Sequence, residues 1–327
     1  MSWLSRCAGA SKQFESARTQ EGPTMVVWDF DWSLINENSD TWILEQLAPT
    51  LLTDLKKLQQ TEPDRFGRGQ WTALMDHLLT LLGTREKVTR GALERRLASI
   101  PFADENVACV RLAAAAGCEQ RILSDANEVY IDKILEARSL RGAFSAVCTN
   151  AATYEDAGDG AEVLRVAPFH PVDEAPHGCR RCPPNLCKGA VLDRWVAECR
   201  PRRIIYVGDG SGDYCPATRL VEDDVVCARA NYPLAKKLRK LALNVTDPVT
   251  LDAAVAEWRD GADLLRIFRR ELRAPKQAAP PPKPPPSKPP PSKPLKPFSS
   301  KPAAPALVGK QAETKPAKRA TVRFAPP

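Results

Sequence analysis

The sequence predicts an α/β fold, a doubly wound parallel sheet with an all-helical block inserted after its first strand. Short apolar runs, largely β-branched, end in polar turns: Val26-Val27-Trp28 before Asp29, Ile122-Leu123 before Ser124, and Ile204–Val207 before Gly208. Helical runs separate these segments, as in βαβ units. Between Trp42 and Ile100 the apolar residues keep helical spacing and show no strand alternation.

Taken in order, Gly22-Pro23 closes a flexible lead-in (1–22), and the first strand follows. Ser39-Asp40 caps a helix running from Thr41 into Leu58, with Trp42, Leu44, Leu47, Leu51 and Leu55 on its apolar stripe. A second helical run holds Trp71, Leu74, Leu78 and Leu82, and a third Val88, Leu93 and Leu97. A helix over 106–116 leads into Gln120–Leu123, and another follows from Glu128 to Arg138. Phe144–Cys148 reads as a strand, and 150–170 as a hairpin or irregular excursion. Ala190–Cys199 is helical, Arg203–Val207 and Val225–Cys227 are strands, and helices near Leu234–Leu241 and Pro248–Arg270 close the domain. The expected division is a core of 23–41 and 101–273, a helical cap of 42–100, and a disordered tail of 274–327.

Charge is distributed unevenly. From Ala274 onward the chain has 17 of its 30 prolines, eleven basic residues and one acidic residue, a net +10. The whole chain carries +7, so residues 1–273 are slightly acidic at −3. The basic pI thus belongs to the tail and gives no support to nucleic-acid binding. No run of about 18 apolar residues is present, so no membrane span is expected. The ten cysteines lie scattered through strand-like and helix-like segments with no signal peptide ahead of them, which points to reduced thiols and the cytoplasm.

In open α/β sheets the ligand lies at the carboxyl ends of the strands, where Asp29 and Asp31 emerge. Paired carboxylates are costly unless a cation or substrate chemistry uses them. Three further elements follow in order: Ser124 after a strand, Lys188 opening a helix, and Gly208-Asp209-Gly210-x-x-Asp213 after another strand.

This succession resembles the haloacid-dehalogenase-type phosphohydrolases over most of residues 24–245. The resemblance implies a phosphatase acting on small-molecule phosphate esters, with Asp29 as nucleophile and Asp31 as general acid and base. Ser124 and Lys188 would hold the phosphoryl oxygens. Mg²⁺ would be held by Asp29, Asp209 and the backbone carbonyl of Asp31, with Asp213 behind it orienting a metal water or Lys188. Gly208, Gly210 and Gly212 would let the backbone approach the ion.

A narrower likeness rests on longer blocks: Asp29–Trp42, Ile122–Asn127, Cys182–Lys188 and Val207–Pro216. They look like the phosphoethanolamine/phosphocholine phosphatase family. A close branch of that family acts on pyridoxal phosphate, and plant relatives act on thiamine monophosphate or pyrophosphate. In that family acidic residues at the positions of Asp40 and Asp125 are implicated in binding the amine head group. Each also has a plainer reading as a helix cap. Ser33 stands where many members have threonine, Trp32 where the family varies, and Ser211-Gly212 where Ala-Asn is common.

His177, Cys179, Cys182 and Cys187 could close a tetrahedral zinc site, but only one C-x-x-C pair is present. Thiols packed around the Lys188 loop are the expectation. In the tail, 280–297 repeats Pro-Pro-Pro-Ser-Lys-Pro, a polyproline II composition that offers a ligand to a Pro-motif-reading domain or forms an inert solvated tail. A scaffold with a vestigial phosphatase domain is the competing class of function. The intact set of Asp29, Asp31, Ser124, Lys188 and Asp209 speaks against it.

Overall fold

A computed structural model describes residues 18, 19, 21–67, 69–158, 160–171, 174, 177–243 and 249–273. Most of the lead-in, the Pro/Lys-rich tail and the 280–297 repeat lie outside the described residues. Seven strands form one sheet in the order β4-β3-β2-β1-β5-β6-β7. They are β1 (Thr24–Trp28), β2 (Glu119–Asn127), β3 (Ala146–Asp156), β4 (Glu162–Ala167), β5 (Arg203–Gly208), β6 (Val225–Arg229) and β7 (Ala254–Trp258). All neighbours pair in parallel except the β3–β4 edge hairpin.

Period-two alternation sorts β1 between two cores. Val26 and Trp28 face a layer with Ile122, Ile205, Tyr130 and Phe268, and the helical block packs into the same cluster. Met25 and Val27 face the other side, with Leu123, Tyr206, Leu192, Trp195 and Leu238. β1 is therefore buried on both faces, which explains its unbroken apolar run.

Two element assignments differ from the sequence reading. The helix expected from Thr41 into Leu58 is two helices, Ser39–Leu47 and Thr50–Thr61. Pro49 supplies no N–H and disfavours a helical Ala48, so the first helix stops there. The helix expected over Pro248–Arg270 begins only at Gly261, and Ala254–Trp258 is strand β7. Residues 150–167 form the β3–β4 hairpin rather than an irregular excursion.

The helix Trp71–Thr84 lies against β4. Arg165 Nε and Nη2 donate to Asp76 at 2.9 and 2.8 Å, and Val166 N donates to the same carboxylate at 2.8 Å. Gly83 makes this contact close: a Cβ there would lie 2.6 Å from Val163 Cγ1. Among the described residues no helix is long and apolar enough to cross a membrane.

Candidate active site

Register brings the site together. Trp28 pairs with Ile122 of β2 and with Val207 of β5. The residues that follow, Asp29, Ser124 and Asp209, therefore leave the sheet side by side. Asp29 N donates to Val207 O at 2.9 Å, and the chain then turns compactly through Phe30–Leu34. Trp32 sits there at φ 56°, an unusual value for a bulky residue. Arg229 Nη1 holds the turn by donating to Trp32 O at 2.6 Å. In β2 the pairing register with β3 shifts between Leu123 and Asn127, the stretch that holds Ser124.

Asp29, Asp209 and Asp213 are all buried, and each places a carboxylate oxygen within 4.8 Å of the others. Lys188 Nζ donates to Asp29 Oδ1 at 2.7 Å and to Asp213 Oδ1 at 2.9 Å. One ammonium among three carboxylates leaves surplus negative charge in a buried place, a donor set suited to a hard cation. Asp213 is committed through both oxygens. Tyr206 Oη–H donates to its Oδ1 at 2.7 Å, and the backbone N–H groups of Asp209 and Gly210 donate to its Oδ2 at 3.2 and 2.9 Å. The Asp209 carboxylate receives Ser33 Oγ–H at 3.2 Å and lies against Asp29. Asp29 and Asp209 are thus the pair able to turn an oxygen to a cation, with Asp213 behind them.

Burial, reinforced by Asp213, pushes the Asp29 carboxyl well above the usual carboxylate range despite Lys188. The same causes raise Asp209 to about 7. Burial alone would depress Lys188, but Asp213 and Asp29 more than offset it and hold the amine charged. Asp31 is raised by burial first and by Asp40 second. Its carboxylate accepts from Ser39 N at 3.0 Å and from Asn38 Nδ2 at 3.2 Å. Ser124 Oγ is fully buried and accepts Ala126 N–H at 3.2 Å, so its own proton remains available to an anion.

The two acidic residues expected near a head group differ in setting. Asp40 is buried, accepts Trp71 Nε1–H at 2.7 Å and is raised by burial to about 7. Asp125 is exposed. Both line one small cavity with Trp71, Thr72, Asn127 and Asn150. The three glycines of the Asp209 loop do not share one role. A Cβ on Gly208 would come within 2.7 Å of Asp213 Cγ, whereas Gly210 and Gly212 meet nothing closer than 3.5 Å. Gly208 is required by the close approach of Asp213.

Several site residues escaped the sequence reading. Tyr206 looked like one more apolar strand residue, and Trp71 like one more helix stripe residue. Asn185 Nδ2 donates to Thr72 Oγ1 at 3.1 Å and to Asn150 Oδ1 at 2.8 Å, tying the Lys188 loop to the helical block and to β3. Its place in Cys182-Pro183-Pro184-Asn185-Leu186-Cys187-Lys188 was the available signal. The four-residue metal reading also changes membership. His177 turns to its own loop, with Nε2 2.9 Å from Pro183 O and Nδ1 accepting Cys179 N–H at 3.1 Å. Cys215 joins the three cysteines in its stead.

A mostly parallel sheet carrying these motifs at its strand ends, with a helical block after the first strand, is the framework of a phosphatase. Residues 24–272 match the Putative Phosphatase family, and the chain belongs to it. It is 35% identical over 248 residues to a thiamine phosphate phosphatase-like protein of Arabidopsis thaliana, covering 75% of this chain and 93% of that one. Inorganic pyrophosphatase 2 of the same plant is 35% identical over 249 residues, with 75% and 82% covered. A pyridoxal phosphate phosphatase of Homo sapiens is 35% identical over 248 residues, with 74% and 95% covered.

Proposed function

We propose that the chain is a Mg²⁺-dependent phosphomonoesterase acting on small phosphorylated amines of the phosphoethanolamine or phosphocholine type. The observation that carries the reading is the buried cluster of Asp29, Asp209 and Asp213 around the single ammonium of Lys188. Asp29 attacks phosphorus, the ester bond breaks, and an aspartyl-phosphate forms. Asp31, whose raised affinity for a proton suits a general acid, protonates the departing alkoxide. It then takes the proton of the water that hydrolyses the intermediate, returning Asp29 to its carboxylate. Lys188 and the Ser124 hydroxyl hold non-bridging oxygens as charge shifts onto them. Asp29, Asp209 and the Asp31 carbonyl would hold Mg²⁺, which would neutralise phosphoryl charge.

Residues 42–100 act as a lid over this end of the sheet, admitting small metabolites and excluding bulk water. Asp40 and Asp125 border a common cavity beside the Trp71 ring, a setting that favours an ammonium. The described cysteines are free thiols, in keeping with a cytoplasmic setting. Thiamine monophosphate, pyridoxal phosphate and pyrophosphate form the second reading, favoured by the activities for which the relatives are named. A phosphate-release screen over these five substrates, with Mg²⁺ and with excess chelator, tests both. The amine esters should lead, and release should stop in chelator. A strong preference for pyrophosphate would replace the first reading with the second.

A further inference from the structure

Cys179, Cys182, Cys187 and Cys215 bring their four sulfur atoms within 4.8 Å of one another, apart from the carboxylate cluster. Cys187 and Cys215 are buried and the other two half-buried. All nine described cysteines are free thiols, so this group is not accounted for as two disulfides. The spacing has a specific meaning. Four thiolates about 2.3 Å from a central zinc stand at the corners of a tetrahedron with edges of about 3.8 Å. Cys179 Sγ and Cys215 Sγ are 3.7 Å apart.

The surroundings fit an anionic centre. Ala190 N, at the start of the helix Lys188–Cys199, donates to Cys187 Sγ at 3.4 Å. Arg219 Nη2 approaches Cys215 Sγ at 3.8 Å, and its buried Nε has no hydrogen-bond partner among the described residues. Arg219 Nη1 pairs with Asp193 Oδ2, but four neutral thiols would leave its Nη2 facing only a weak acceptor. A zinc bound by four thiolates carries two net negative charges and turns that contact into a charged one. Gly189 opens the space, since a Cβ there would meet Cys215 Sγ at 2.6 Å and Arg219 Nε at 2.4 Å.

We propose that these four cysteines form a structural zinc site. Binding exchanges the four thiol protons for one Zn²⁺, with no redox step. The site is closed, with four protein ligands and no place for substrate, so its role is positional. Cys187 immediately precedes Lys188, and Cys215 lies two residues beyond Asp213. One ion therefore clamps the loop that aims the ammonium to the loop that aims the carboxylates. This inference is independent of the substrate and of Mg²⁺.

The test is metal analysis of the full chain, expressed with zinc and passed over a chelating resin. About one equivalent of zinc should remain, and a mercurial thiol reagent should release it. Cys182→Ser and Cys215→Ser should each reduce it to below about a fifth of an equivalent. Asp209→Asn and His177→Ala should retain it. The cobalt-substituted protein should show intense thiolate-to-metal charge-transfer absorption. Retention of less than about a tenth of an equivalent by the unaltered chain would overturn the proposal, a readout that needs no variant to fold. So would zinc lost in Asp209→Asn, which would place the ion among the carboxylates, or cysteine pairs found oxidised in a non-reducing peptide map. None of these outcomes bears on the phosphatase reading.

Discussion

Lys188 Nζ lies 2.7 Å from Asp29 Oδ1, with the two residues only 4% and 5% exposed. A buried ion pair of this kind is poor evidence of stability, since desolvation cancels much of the attraction. Its value lies in the aim it gives both groups. Asp213 holds the ammonium from the other side and is itself held by Tyr206 and two backbone N–H groups.

Loss of Asp213 should therefore cost more than loss of a surface charge. Asp213→Ala leaves the Lys188 ammonium, the Tyr206 hydroxyl and two amides short of a buried acceptor. Unfolding by urea should show a destabilisation of about 3 kcal/mol. A change within about 0.5 kcal/mol would mean that water or rearrangement replaces the carboxylate readily.

The proposed Mg²⁺ site carries a prediction with a definite sign. Burial and Asp213 raise Asp209 to about 7, against 3.8 for an ordinary Asp, so the metal-free folded state binds its proton more tightly than the unfolded chain. Stability should fall as pH rises from about 4 to about 7 and remain low above that. Mg²⁺ needs the ionised form, so its stabilising effect on the melting temperature should be large at pH 8 and small at pH 5.5. An equal shift at both pH values would dissociate the ion from Asp209.

Asp40 offers a second pH test. Burial raises it to about 7, so it becomes an anion only as pH passes that value. For phosphoethanolamine, Asp40→Asn should lower kcat/KM by about tenfold at pH 8 and by clearly less at pH 6. A neutral phosphate ester should be spared at both. Equal losses for both classes of ester would assign Asp40 to holding Trp71 and the helical block.

The helical block can be probed where it touches the sheet edge. Gly83→Val would force side-chain atoms into Val163 and the Glu162 carbonyl, costing about 1–3 kcal/mol of stability. Thermal unfolding of the variant measures it, and an unchanged melting temperature would show that the contact yields without cost.

The strand-end residues were legible in the sequence because of where they stand. Asp29, Ser124 and Asp209 each follow an apolar run, and parallel register alone brings such positions together. Asp40 and Asp125 were legible as neighbours, but burial of the first and exposure of the second were not. Tyr206 was hidden because only its hydroxyl differs from the strand pattern around it. Cys215 was hidden because its partners lie far back in the chain, and only the fold closes that distance. Strand β7 was missed because Ala254-Val255-Ala256-Glu257-Trp258 is short, alanine-rich and at a sheet edge, where strand and helix patterns overlap.

The role of Asp29 can be settled by chemical trapping. The full chain would be mixed with Mg²⁺ and phosphate-labelled p-nitrophenyl phosphate, quenched in acid within one turnover, digested and sequenced. The label should sit on the peptide containing Asp29. It should accumulate in Asp31→Asn, which lacks the base for hydrolysis, and disappear in Asp29→Asn along with at least about a thousandfold of the turnover. Label on another residue, or near-normal turnover by a folded Asp29→Asn protein, would contradict the mechanism.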